Sequence, residues 1–189
     1  MSPRLSTLPS ALPRRARRLV TAAVLAVGVV ASSVVAAEPA SAATVYATSA
    51  EKIVASDIAR VMNAERAAHH LYPLALNSSL RLSARWHNLA MASHNRMSHQ
   101  LPGEAYFATR ISRAGYTNWT WVGENIGWTS RFSTAGVVAL ERAMYNERAP
   151  YDGHRRNILS SHFRSVGIDV YVDRAHHKVW LTTDFGRRG

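Results

Sequence analysis

The 189-residue chain has no cysteine, which excludes disulfide staples, thiolate nucleophiles and sulfur ligation of metals. Acids are scarce, with 12 Asp and Glu against 23 Lys and Arg. Glycine (10) and proline (7) are too few for a low-complexity linker, and no internal repeat is present. Neither H-E-x-x-H nor G-x-S-x-G occurs, so the helix-borne zinc-protease signature and the serine nucleophile elbow are both missing. What is present is 47% hydrophobic residues. That is ample for one core, since roughly 150 residues bury about two-thirds of the surface of the unfolded chain.

There is a single long apolar run, and it is N-terminal. Arg14-Arg15-Ala16-Arg17-Arg18 precedes the uncharged stretch Leu19 to Ala37, Glu38-Pro39 breaks it, and Ala40-Ser41-Ala42 supplies small residues at the −3 and −1 positions of a cleavage site. This layout predicts a cleavable secretory signal over 1–42 rather than a retained anchor. The leader holds five of the 23 cations and one of the 12 acids, leaving 18 and 11, a net of +7. The remaining cations are scattered, with no dense basic run, so the reading is a basic exported protein with no transmembrane segment in its mature form and no specific nucleic-acid binding.

Beyond a short N-terminal segment, 43–52, hydrophobic periodicity sets out the mature chain. Ile53, Val54, Ile58, Val61 and Met62 recur at helical spacing over about 51–70. Pro73 ends that helix, and Asn77-Ser78-Ser79 caps a second over about 78–96. A short helix over 104–114 stops at Gly115, suited to a left-handed C-terminal position. Trp119 to Thr129 reads as a strand, and Ser133-Thr134 caps a helix running to Met144–Glu147. A turn from Pro150 to Gly153 opens a short helical stretch. Ser165 to Asp173 and Lys178 to Phe185 form an antiparallel hairpin across Arg174–His177. Helices early and strands late predict an α+β fold with an antiparallel sheet.

Four polar patterns interrupt apolar sequence: Ser98-His99, Gly123-Glu124-Asn125-Ile126-Gly127, Asn146-Glu147, and Gly153-His154-Arg155-Arg156-Asn157. Glu124, flanked by Trp121-Val122 and Ile126-Gly127-Trp128, needs a partner if buried, and a histidine or a metal would serve. Two imidazoles and two carboxylates suit a divalent cation, or equally a metal-free network with shifted proton affinities. Spacing alone does not choose. Among the other histidines, His87 and His94 share a helix face and are read as core or rim, with His94 the reserve ligand. His69, His70, His176 and His177 fall at element ends. The tryptophans are read as core, with Trp128 the one best placed to reach a ligand.

Taken in order, these segments resemble the CAP superfamily, the SCP-like extracellular proteins that include cysteine-rich secretory proteins, insect antigen 5 and plant pathogenesis-related proteins, and in particular its small bacterial branch. The resemblance covers about 53–186. It is carried by Val61-Met62-Asn63-Ala64-Glu65-Arg66, Pro73 to Asn77, Ser98-His99, Arg110-Ile111 with Gly115-Tyr116, Gly123-Glu124-Asn125-Ile126, Gly153 to Leu159, Val166-Gly167-Ile168, and Trp180 with Asp184-Phe185-Gly186. It implies an α-β-α sandwich with a three-stranded antiparallel sheet between helical layers. It also implies a cleft holding His99, Glu124, Glu147 and His154, with Met144 standing where the family usually has tryptophan. The function it implies is extracellular binding of a divalent metal, Zn2+ or another cation, or of a lipid, small-molecule or cell-wall ligand, without an agreed catalytic activity. The alternative is a peptide or glycan hydrolase with Glu124 or Glu147 as general base. If a metal binds, protons compete for the imidazoles, and affinity falls below about pH 6.5.

Overall fold

A computed structural model describes residues 47–189. The leader over 1–42 lies outside the described residues. Among those described, no helix is long and apolar enough to cross a membrane.

The first helix, α1 (Ser49–Ala68), starts two residues earlier than its apolar period suggests, inside the segment read as a short N-terminal lead. Thr48 and Glu51 form a reciprocal capping box that satisfies two otherwise orphaned N–H groups. After Pro73 the chain makes a two-residue strand, β1 (Ala75–Leu76). Asn77 then caps α2 (Ser78–Ser93) by accepting the Leu80 N–H at 3.1 Å. The short α3 (Phe107–Arg113) ends at Gly115, whose φ of +92° is the left-handed geometry that favours glycine. Next come β2 (Trp119–Thr129), α4 (Thr134–Tyr145) capped by Ser133, α5 (Gly153–Ile158), β3 (Ser165–Asp173) and β4 (Lys178–Arg188).

The sheet runs β1-β3-β4-β2. Its three long strands are antiparallel as expected. The fourth, β1, adds itself in parallel to the start of β3, its Ala75 N–H donating to Arg164 O and the Asn77 N–H just after it to Val166 O. Alternation along the strands builds two layers. Val166, Ile168 and Val170 of β3 pack with Ile58 and Met62 of α1 and Val137 and Met144 of α4. The opposite face carries α2 and α3, with Met91 against Trp180 and Ile126, and Leu80 against Ile111 and Tyr116. Each such fully buried side chain contributes about 1.5–3 kcal/mol.

Charge is buried in both layers. Arg66, with no exposed surface, donates to the carbonyls of Tyr72, Ile158 and Ser160 and so ties α1 to the end of α5. On the other side, Asp169 accepts from Asn88 and lies 3.5 Å from Arg85, while Thr182 donates to Asn88.

Glu65 of α1 and Glu141 of α4 meet between their helices, with Arg142 and Arg155 as the charged groups facing them. Burial, then the charge of Glu65 and a hydrogen bond with it, push Glu141 up to about 9. Two carboxylates can bond one another only through a shared proton. The native state therefore keeps a proton that the unfolded chain releases above about pH 4.5. This contribution to stability is complete at low pH and is lost as pH rises from there through about 9. Glu141→Gln, neutral at every pH, should flatten that slope and raise stability at pH 8, relative to pH 5, by of order 2 kcal/mol in urea unfolding. Parallel pH profiles for the two proteins would show that no proton is held there.

Candidate functional site

The outer edge of the sheet is β2, and the four expected residues are arranged along it as two histidine–carboxylate pairs. In the first, Glu124 points from β2 into the layer of α2 and α3, where His99 Nδ1 lies 2.8 Å from its Oε1. In the second, Glu147, just past the end of α4, takes His154 Nδ1 at 2.5 Å and accepts the His154 backbone N–H at 3.0 Å. The next residue on β2, Asn125, faces the opposite way and donates to the His154 carbonyl. Asn157 of α5 closes the clasp by donating to Glu124 O and Asn125 Oδ1. Two structural amides thus lock α5 to the strand that carries Glu124. Met97, in the loop that bears His99, lines one cavity of about 240 Å³ together with Glu147 and His154.

The Glu124 side chain has no exposed surface. Sequence reasoning correctly required a partner for it but named only a histidine or a metal. Its main counter-charge is Arg110 of α3, whose Nη2 donates to Glu124 Oε2. Arg110 Nη1 also bonds the carbonyls of His99 and Ala105, so one guanidinium fixes both the acid and the loop holding its histidine. His87, fully buried, shares its Nδ1 with Glu104 at 2.7 Å and brings Nε2 to 3.9 Å from Glu124. Burial raises the Glu104 carboxyl, but His87 and Arg110 outweigh it and hold the acid below its usual range. Beneath them Asp184 of β4 stands opposite Glu124 in the ladder. Burial, then the Glu124 charge, push Asp184 well above the usual carboxylate range.

Arg110 and Asp184 lie in segments that carry the family resemblance but were not read as site residues, and Glu104 is locally unremarkable; the demand of a buried carboxylate for a cation was the physical signal that pointed to Arg110. His94 is exposed and bonds its own helix at Ala90 O. His69, His70, His176 and His177 are exposed. Of the tryptophans, Trp180 is buried, whereas Trp128 and Trp121 are exposed rather than core. Trp128 lines the cavity beside His154, under the Lys178 ammonium at 4.7 Å.

Both histidines use Nδ1 on a carboxylate, and neither Nε2 has a hydrogen-bond partner among the described residues. Their side chains are 51% and 31% exposed. Among the described residues, no three His, Asp or Glu side chains are grouped so as to hold a metal ion together. His154 lines the cavity with Met97 and Glu147, and His99 is not among its lining residues.

No curated protein sequence matches the chain. Among solved structures, an extracellular SCP-domain protein of Bacillus anthracis is similar at 28% identity and TM-score 0.61, over 73% of this chain and 41% of that one. An outer surface protein of Borrelia burgdorferi aligns at 17% identity and TM-score 0.57, over 73% of this chain and 92% of the other. A cysteine-rich secretory protein of Staphylococcus aureus aligns at 20% identity and TM-score 0.53, over 75% and 40%. The chain thus spans less than half the length of the first and third. The latter two likenesses show the fold. The sequence pattern of the cysteine-rich secretory protein family, CAP, matches residues 59–185, and the chain belongs to that family.

Proposed function

We propose that this CAP domain works outside the cell as a binding module, taking a divalent cation through Nε2 of His99 and of His154. The observation that carries this reading is the paired arrangement itself. Each imidazole has its Nδ1 held by a carboxylate and its Nε2 left unpartnered and accessible, as in carboxylate–histidine–metal sites. The roles of the four residues then divide, with the histidines as ligands and Glu124 and Glu147 setting tautomer and orientation. Zn2+ suits two nitrogen ligands, its remaining positions filled by water or by the extracellular ligand. Export rests on the 1–42 leader and on the extracellular or surface nature of similar proteins.

Two protein ligands give weak binding, so calorimetry should return a micromolar or weaker Zn2+ affinity at pH 7.5, lost in His99→Ala and in His154→Ala. Equal heats from all three proteins would remove the metal. Binding is favoured over hydrolysis because, of the two candidate general bases, Glu124 is buried and engaged by Arg110 and His99, and Glu147 is engaged by the ring and backbone N–H of His154.

A second binding reading has its own observation. A cavity of about 600 Å³ lies between the starts of α1 and α4 and the sheet, lined by Ile53, Phe132, Val137, Val170 and Val179 with Arg174 at its wall. Its volume and apolar lining suit the chain of an extracellular lipid. Val137→Trp, filling the cavity, should abolish binding of a fluorescent fatty acid, and unchanged binding would exclude this location.

A further inference from the structure

The net charge understates how one-sided the surface is. Among the described residues, twelve Lys and Arg are exposed, whereas none of the eleven Asp and Glu is. The acids have been drawn inward, into the Glu124 and Asp169 networks, the Glu65–Glu141 contact and the histidine pairs. Among the described residues, only Arg60 and Arg156 of those exposed cations have a carboxylate partner, Asp57 and Asp152, so the surface is predominantly positive and attracts polyanions of any kind.

One part of that surface has a feature bulk charge does not provide. Trp121, 48% exposed near the start of β2, stacks one face of its indole on His162, with ring centroids 4.0 Å apart and planes 11° apart. With His162 behind it, the exposed area lies on the other face. Arg187 stands opposite Trp121 in the ladder. Arg164, two residues beyond His162, bonds β4 at Gly186 O and lays its guanidinium over Tyr72 at 5.0 Å. Neither arginine has an ion-pair partner among the described residues. Arg164 Nη1 is anchored on the Ser161 and Phe163 carbonyls, which fixes its guanidinium in place, and an open aromatic face braced from behind and flanked by cations without acidic partners is a two-part recognition device. The ring takes a flat, weakly polarised C–H surface, and the guanidinium forks take carboxylate or phosphate oxygens.

We infer that the Trp121–His162–Arg164–Arg187 patch docks an anionic polysaccharide, one sugar ring stacking on Trp121 while acidic groups of its neighbours meet the two arginines. A single-stranded nucleic acid is the less suitable polyanion. It is held by successive stacking platforms along a groove, and here Tyr72, though 70% exposed, already carries the Arg164 guanidinium on its ring. The patch is built from residues separate from the histidine–carboxylate pairs and does not depend on the cation reading.

The test uses the mature protein with EDTA present, so that no metal contributes. Binding is measured to polygalacturonate, to neutral dextran and to an oligothymidylate of similar charge. Polygalacturonate should bind with an affinity that falls steeply with salt, and dextran should not bind. Trp121→Ala should weaken polygalacturonate binding about tenfold with an unchanged melting temperature. The double variant Arg164→Gln/Arg187→Gln should weaken binding and reduce its salt dependence. Arg131→Gln, exposed just past the other end of β2, should stay within about twofold of wild type. The proposal is overturned if Trp121→Ala binds polygalacturonate as wild type does. It is equally overturned if Arg131→Gln matches the double variant, which would mean diffuse charge alone, or if the oligothymidylate binds more tightly and loses that advantage in Trp121→Ala.

Discussion

Gly167→Ala is expected to cost about 4 kcal/mol or more, enough to leave little native protein. Gly167 sits mid-strand in β3 on the face that receives α2. A Cβ there would stand 2.0 Å from Arg81 N and 2.1 Å from Leu80 C. Both are backbone atoms of the first turns of α2, so no rotamer change relieves the clash, and the helix must move off the sheet. That movement would disturb Leu80 in its cluster with Ile111 and Tyr116 and the Asn88 bonds to Asp169. Close approach of helix to strand is a reason for glycine within a strand. Gly153→Ala is the control, because a Cβ there meets nothing within 4 Å. Thermal unfolding of both variants checks this, and a Gly167→Ala protein that melts within a few degrees of wild type would contradict the packing described.

The second large effect concerns Glu124→Gln. The substitution is nearly isosteric, but it leaves the Arg110 guanidinium buried against a neutral amide. Breaking one side of a buried ion pair costs about 3–5 kcal/mol. Here the expected loss is at the lower end, about 3 kcal/mol, because Glu104 remains 3.5 Å from Arg110 and because the Glu124 charge is one of the causes that raise Asp184. With that charge gone, Asp184 can ionise and compensate Arg110 in part. The sign of the coupling is diagnostic. Arg110→Met added to Glu124→Gln should recover about 1 kcal/mol or more of the loss, since the double variant buries no unpaired charge. A single variant within 1 kcal/mol of wild type in denaturant unfolding would mean that Arg110 is not the counter-charge.

These two sites also mark what a sequence can disclose. The β3–β4 hairpin was legible because Val166, Ile168, Val170 and Val172 recur at every second residue and so share one face of the sheet. The Asn77 and Ser133 caps were legible because capping is local, a side chain reaching three residues ahead. The Thr48–Glu51 box is equally local, but it falls in a stretch whose apolar period had not yet begun. β1 needed knowledge of where β3 lies, and two residues carry no pattern. In the site, His99, Glu124, Glu147 and His154 stood out as polar residues in apolar surroundings and through family resemblance. Arg110 and Asp184 did not, since their meaning comes from Glu124, fourteen residues away in one case and across the ladder in the other.

The account depends on two imidazoles on either side of the outer strand serving one cation. Long-range 1H–15N spectra of the histidine side chains during a Zn2+ titration report on Nδ1 and Nε2 separately. The account predicts that Nε2 of His99 and of His154 shift together, saturating at one equivalent, while both Nδ1 atoms keep the signature of protonated, carboxylate-bound nitrogen. A shift at only one of these histidines, at an Nδ1, or at His94 instead would contradict it.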